Sequence, residues 1–417
     1  MSRSTPLWLL PVVLVVQVLA LSLTQNAQAQ DDSFELAALQ NGVPLLANAS
    51  GAAQPIPAPP GDIVSMAWSP DGQKLALVVR DENYRYRLFV SGPGMSAAIP
   101  LDSGNRVQPL GATFAPDGTI LYAAGCQPSQ VPGCIVDLRR IAPEADAQPV
   151  TLGQFEYPVL SGGGAPNPSI YQLRRETTYP ALQWTPLGIV HVYAGAFLLN
   201  PATGEDRLLG NFNPFVVSPD GTMAASVRYP VEVGQDIYSL VLIDLATGAV
   251  TDLPTLEQPD RVAWALDGSI IYSTRTPVRD ITAGMSETDR TTVDEALVCS
   301  LGTVSFCRLL TTANTVRIQR LDLVTGVETT RFTGDAYAVG RMQEAADGSL
   351  VFSLIPNIDA WAQAIVSGQL DPMSDTFDEE SRAFVPITVY SLAADETTPV
   401  QVGANLEQFE LRPFSAR

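Results

Sequence analysis

What most constrains this chain is a repeat: an apolar strand, a Pro-Asp-Gly-type turn, then a second apolar strand. It reads Met66-Ala67-Trp68-Ser69-Pro70-Asp71-Gly72 before Leu75–Val79, and Ala112-Thr113-Phe114-Ala115-Pro116-Asp117-Gly118 before Ile120–Ala123. A third strong copy is Phe215-Val216-Val217-Ser218-Pro219-Asp220-Gly221. Degraded copies are Trp264-Ala265-Leu266-Asp267-Gly268, Ala345-Ala346-Asp347-Gly348 and Trp184-Thr185-Pro186-Leu187-Gly188. The turn chemistry has a cause. Pro presets φ at the second position of a type I turn, Asp suits the third, and Gly accepts the left-handed conformation that closes a bulged hairpin.

A second hairpin alternates with the first. Leu240–Leu245 leads through Ala246-Thr247-Gly248 to Val250–Leu253, Ile318–Leu323 precedes Thr325-Gly326, and Phe197–Asn200 precedes Thr203-Gly204. Looser versions occupy Arg87–Leu101, Val136–Leu152 and Thr388–Val402. Two hairpins per unit give four antiparallel strands every 45 residues or so, the pattern of a β-propeller blade. The fold class is therefore all-β.

A strand ending in Ser-Pro-Asp-Gly, repeated at this spacing over roughly residues 63–405, resembles the TolB-type propeller repeats. The resemblance implies the ring architecture. It leaves function open, because such propellers serve both as binding platforms and as accessory domains of peptidases. Residues 34–47 look like one more copy of the second hairpin, and Leu406–Arg412 with Pro413 like the start of one more first hairpin. Joining both termini in one blade closes the ring and removes two strand edges, so seven blades are expected. Six complete blades with the N-terminal hairpin packed outside is the alternative. Residues 48–62, with Pro55, Pro57, Pro59 and Pro60, read as an extended linker. The expected organisation is a leader over 1–29, a closing hairpin and linker over 30–62, and the propeller over 63–417.

The leader reads as an export signal: Arg3, an apolar stretch from Leu7 to Leu23, then Ala27-Gln28-Ala29 as a cleavage site. The alternative is an uncleaved anchor, against which Pro11 and the cleavage site argue. The mature chain is expected to carry no membrane span and to be periplasmic or extracellular. Cys126 and Cys134 are as far apart as Cys299 and Cys307, which suggests two local disulfides. Each would stabilise the fold by roughly 2–3 kcal/mol.

Composition removes several functions. With 24 basic against 44 acidic side chains the net charge is −20, and nucleic-acid binding, which needs clustered cations, is not expected. Lys74, the sole lysine, is followed by Leu75, so no Walker phosphate loop is present. His191 is the sole histidine and lies in an inner-sheet pattern, where a buried, hydrogen-bonded role is expected rather than catalysis. No Gly-x-Ser-x-Gly elbow occurs.

In a propeller the Pro-Asp-Gly and Thr-Gly turns share one face, and the connections between hairpins and between blades share the other. The long insertions, Gly153–Pro180, Pro277–Val316 and Pro356–Pro386, all belong to the second face, as do both cysteine pairs. That face is the expected binding surface. Its candidate contacts are Tyr157, Tyr171, Arg174, Arg175 and Tyr179 in the first insertion and Trp361 in the third. The tyrosines serve equally well to cover their own loop, and Trp361 reads first as a hydrophobic plug for its insertion. In the second insertion Val293–Leu301 suits a short helix. Trp68, Trp184 and Trp264 recur at one place in the repeat and read as packing between blades. Asp371, Asp375, Asp378 and Glu379 form an oxygen-rich segment that suits calcium by residue type but lacks EF-hand spacing, so it reads first as a solvated acidic loop; no other cofactor is expected. The resulting expectation is an exported, non-catalytic propeller that binds a protein or cell-envelope component. The alternative is a glycan-binding or carbohydrate-active propeller using carboxylates near the channel.

Overall fold

The structure, a computed structural model, describes residues 34–83, 85–125, 135–156, 182–192, 195–210, 212, 215–228, 239–297, 311–374 and 376–413. Seven four-stranded antiparallel blades form a ring, with the first strand of each blade innermost. Blades 3 to 6 follow the chain directly, beginning with the inner strands Leu182–Thr185, Phe215–Val217, Pro259–Trp264 and Ala338–Glu344. Blades 1 and 2 are fused by one 16-residue strand, Ile99–Phe114. Its start pairs as the outer strand of blade 1 (Val90 opposite Ile99), and its end as the inner strand of blade 2 (Thr113 opposite Leu121).

Blade 7 is built from both ends of the chain. Leu406–Leu411 is its inner strand and pairs antiparallel with Glu35–Gln40, which pairs in turn with Val43–Asn48. The fourth strand is Ala53–Pro55, inside the segment expected to be a linker. Residues 35–48 are therefore the second and third strands of the blade rather than a copy of the second hairpin. Their turn is Asn41-Gly42, with φ of 51° and 75°, the two-residue hairpin geometry that Asn-Gly favours.

The repeated turns share one geometry. In blades 1, 2, 4, 5 and 6 the Asp Oδ1 accepts the backbone N–H two residues on: Gln73, Thr119, Thr222, Ser269 and Ser349, at 2.9–3.0 Å. The Gly of each turn has a φ between 67° and 85° and closes the turn. In blade 3, where Leu187 replaces the Asp, the Thr185 hydroxyl accepts the Leu187 N–H at 3.1 Å and donates to the Gly188 carbonyl at 2.9 Å.

The core lies in the seams between blades. Strand alternation sends one set of apolar residues to each neighbour. Ile270 and Tyr272 of blade 5 pack with Ala225, Val227 and Leu240 of blade 4, whereas Ile271 packs with Val339, Met342 and Phe352 of blade 6. The tryptophans stitch the inner strands together. Trp264 Nε1 donates to the Val216 carbonyl of blade 4 at 2.8 Å, and Trp68 Nε1 to the Glu410 carbonyl of blade 7 at 3.1 Å. Gln183 bridges blades 3 and 4 through Phe215 O and Val217 N, and Gln343 accepts from Leu411 N across the seam of blades 6 and 7. His191 is 2% exposed in the second strand of blade 3; its Nε2 lies 2.9 Å from Asp206 Oδ1 and its ring stacks on Phe197.

Candidate functional site

The insertion-bearing face carries a structure of its own over blades 5 and 6. The second strand of blade 5 runs to Asp280 and the third begins at Thr312, so their hairpin stands beyond the rest of the sheet. Between them lies helix α1, Glu287–Ala296. It begins before the expected Val293–Leu301 stretch because Ser286 caps it: the Ser286 hydroxyl accepts the Asp289 N–H at 3.2 Å. The insertion of blade 6 supplies helix α2, Asp359–Val366, and helix α3, Phe377–Phe384.

These helices share one apolar core rather than standing as separate loops. Val293, Ala296 and Leu297 pack with Ile358, Trp361, Ala362, Ile365, Leu370 and Phe377. The same cluster includes Ala313 of blade 5 and Tyr337, Ala338 and Ile355 of blade 6, which seats the helices on the seam. Two polar ties fix them there. Arg279 Nη2 pairs with Asp359 Oδ1 at 2.6 Å, and the Asn357 side chain accepts the Asn314 N–H at 3.0 Å.

Trp361 lies at the centre of this cap. It is 2% exposed, its ring is tilted against Phe377, and its Nε1 donates to Ser381 Oγ at 3.1 Å. The side chain is thus a plug, and it presents no surface to a partner. Tyr157, Tyr171, Arg174, Arg175 and Tyr179 lie outside the described residues, as do Cys126, Cys134, Cys299 and Cys307. So do residues 1–33, which include the segment read as a leader. The strand Val150–Glu156 extends into the start of the first insertion, which therefore begins later than Gly153. Of the calcium candidates, Asp375 is outside the described residues, Asp378 and Glu379 lie on α3, and Asp371 Oδ1 accepts the Met373 N–H at 2.9 Å. Among the described residues no group of three or more His, Cys, Asp or Glu side chains is placed to hold a metal ion. No helix among them is long and apolar enough to cross a membrane.

The inner strands of blades 5 to 7 carry charged side chains: Asp260 and Arg261 at the start of the first, Arg341 in the middle of the second and Glu410 near the end of the third. Each of these inner strands is bulged: between Pro259 and Arg261, between Val339 and Met342, and near Leu406. Bulges re-aim side chains, and here they carry Asp260, Arg261 and Arg341. Asp260 Oδ1 pairs with Arg275 at 3.1 Å. Arg317 pairs with Glu257, whose other oxygen accepts from Thr274 Oγ1 at 2.7 Å. Arg341 pairs with Glu410 across the closing seam, where Gln343 also donates to Glu410 at 3.1 Å. Burial raises the Glu410 pKa, with Arg341 and Gln343 acting in the opposite direction. Though enclosed by protein, the Glu410 side chain keeps 21% of its exposure, consistent with its place on an inner strand. Sequence reading missed these ion pairs because a bulge leaves no mark in apolar alternation.

No known protein family matches the sequence, and no curated protein does. Among solved structures, the chain is similar to TolB from Acinetobacter baumannii, at 14% identity and a TM-score of 0.39. That match covers 72% of this chain and 65% of that one, just under two thirds of its length. It is similar to a candidate TolB from Agrobacterium tumefaciens, at 11% identity and a TM-score of 0.40, over 92% of this chain and 98% of that one. It is also similar to a candidate 6-phosphogluconolactonase from Bacteroides fragilis, at 11% identity and a TM-score of 0.48, over 92% and 99% of the two chains. The likeness is one of fold.

Proposed function

We propose that this chain is an exported, non-catalytic propeller that binds a protein or cell-envelope partner through the helical cap on blades 5 and 6. One observation carries the reading: insertions from two blades merge into a single folded unit on one face of the ring. Loops that serve only as connections have no reason to build a shared core across a seam, whereas a rigid raised platform suits recognition with little ordering cost. The segments 280–297 and 356–387 contain eleven acidic side chains against two arginines. A partner with a basic surface is therefore favoured in encounter.

The carboxylates near the channel support binding over catalysis. Asp260, Glu257 and Glu410 are each engaged by an arginine, whereas a glycosidase pair needs two carboxyl groups facing a substrate. Calcium held by the acidic insertion, and disulfides Cys126–Cys134 and Cys299–Cys307, belong to the same proposal. A melt repeated with chelator tests the first, and thiol titration of the denatured chain purified without reductant tests the second.

The decisive experiment replaces residues 356–387 by a short Gly-Ser connection. The ring should keep its strand signal and cooperative melt, while capture of the partner from native envelope extract is lost. Capture unchanged by the replacement, with the variant folded, would place recognition elsewhere.

A further inference from the structure

One large apolar side chain of the cap departs from the rest. Val293, Leu297, Ile358, Ile365, Leu370 and Phe377 are buried in the shared core, whereas Met373 is 89% exposed. Among the described residues of 280–297 and 356–387 no other large apolar side chain stands exposed. A lone exposed apolar residue is ordinary where the chain is slack. Here the chain is pinned on both sides of it. Gly368, with φ of 71°, ends α2, and the Gln369 and Leu370 N–H groups return to the Ala364 carbonyl at 2.9 and 3.0 Å. Asp371 then closes a turn around Met373: its Oδ1 accepts the Met373 N–H at 2.9 Å and its carbonyl the Ser374 N–H at 3.0 Å. Leu370 before the turn is 0% exposed and Phe377 after it 6%.

The other methionines are placed differently. Met66 and Met342 are 8% and 5% exposed within blade seams, and Met95, Met223 and Met285 are half-buried. Met373 is therefore the one exposed thioether among the described residues. The reactivity of a methionine toward peroxide follows the exposure of its sulfur. Hydrogen peroxide is neutral, so a chain of net charge −20 does not hold it off as it would an anionic oxidant. The sulfur takes one oxygen as the peroxide O–O bond breaks, and water leaves; sulfur loses two electrons and the peroxide gains them. The product is a polar, chiral sulfoxide in place of a flexible apolar tip. Since Met373 lies outside the cap core, the change alters the surface of the cap and leaves its packing intact.

We propose that Met373 is a reversible oxidation site that switches the cap between two surface chemistries: a thioether that fills an apolar pocket of the partner, and a sulfoxide that does not. The proposal rests on the reading of the cap as the recognition platform. To the acidic surface of that platform Met373 adds an apolar contact, held in place before encounter so that little is lost in ordering it. Methionine is among the side chains enriched at interfaces. A polar sulfoxide in an apolar pocket costs more than the thioether it replaces, unless a donor meets its oxygen. A dithiol reductase returns the sulfoxide to the thioether; the oxygen leaves as water and the dithiol becomes a disulfide.

The test exposes the full chain to hydrogen peroxide and follows each methionine peptide by mass. Met373 should gain one oxygen roughly tenfold faster than Met66 and Met342, with the melt of the chain unchanged. Reduction by methionine sulfoxide reductases A and B with thioredoxin should remove it. Capture from native envelope extract should fall roughly tenfold on oxidation and return on reduction. Met373→Leu, apolar but without sulfur, should keep capture and make it indifferent to peroxide. The proposal is overturned if Met373 oxidises no faster than the two buried methionines, or if capture by Met373→Leu is still lost to peroxide. Undiminished capture by the oxidised chain, where the replacement of 356–387 abolishes capture, overturns the switch and leaves the platform standing. Capture that survives that replacement overturns the platform and the switch with it.

Discussion

At the scale of single residues, the turn aspartates do the most repeated work. Asp220 Oδ1 accepts from Ser218 Oγ, Thr222 N and Thr222 Oγ1, and these bonds, that of Ser218 foremost, hold its carboxyl below the usual value. The same holds for Asp71, led by Ser69, and for Asp117, led by Thr119. A depressed folded-state pKa contributes stability that is present above the unfolded pKa of about 3.9 and lost as pH falls through the folded value. Asp220→Ala should therefore lower the melting temperature at pH 7, and the deficit should shrink in melts below about pH 4. Salt should change it little, since the leading cause is hydrogen bonding rather than charge pairing. Glu410 has the opposite sign. Burial raises its pKa, so its titration favours the fold as pH falls and opposes it as pH rises through the folded value. Trp264→Phe tests the stitching between blades. It keeps a ring but loses the bond to Val216 O, and denaturant melts should show a loss of about 1 kcal/mol.

At the scale of elements, the cap should be separable in stability from the blades that carry it. Trp361 fills the cap core, and truncating such a side chain costs about 3–5 kcal/mol. Helices of eight to ten residues cannot hold themselves in water, so the loss should melt the cap locally. Trp361→Ala should speed amide exchange across 287–296 and 359–384 and leave the blade strands protected. Equal loss of protection in blades 1 to 3 would show that the cap supports the whole ring.

At the scale of the whole molecule, the closing blade decides whether the ring exists. Leu406 and Phe409 of its inner strand are buried with Phe34, Leu36 and Ala38. Arg412 ties the end of that strand to the start of the chain through Glu35, to the first turn through Gly72 O at 2.6 Å, and to the face of Trp68. Removing 406–417 would leave three strands and an open apolar groove, with each large core side chain lost costing about 2–5 kcal/mol. The truncated chain should melt lower and aggregate, and a synthetic peptide of residues 405–417 should restore the melt.

Turn placement, the six repeated blades and the side on which the insertions of blades 5 and 6 lie were legible in the sequence because each rests on contacts within a few residues. A Pro-Asp-Gly turn needs only its own backbone, and strand alternation only its own period. The closing blade was legible in outline, but the strand roles of residues 35–48 were not, since they depend on a partner more than 350 residues away. Tertiary structure decided the rest. It decided between the two readings of Trp361 in favour of the plug, because a residue's environment is set by what packs over it and not by its loop. It also paired Asp260 with Arg275 and Arg341 with Glu410, which no spacing foretells, because a single extra residue in one strand redirects side chains that sequence alternation would send elsewhere.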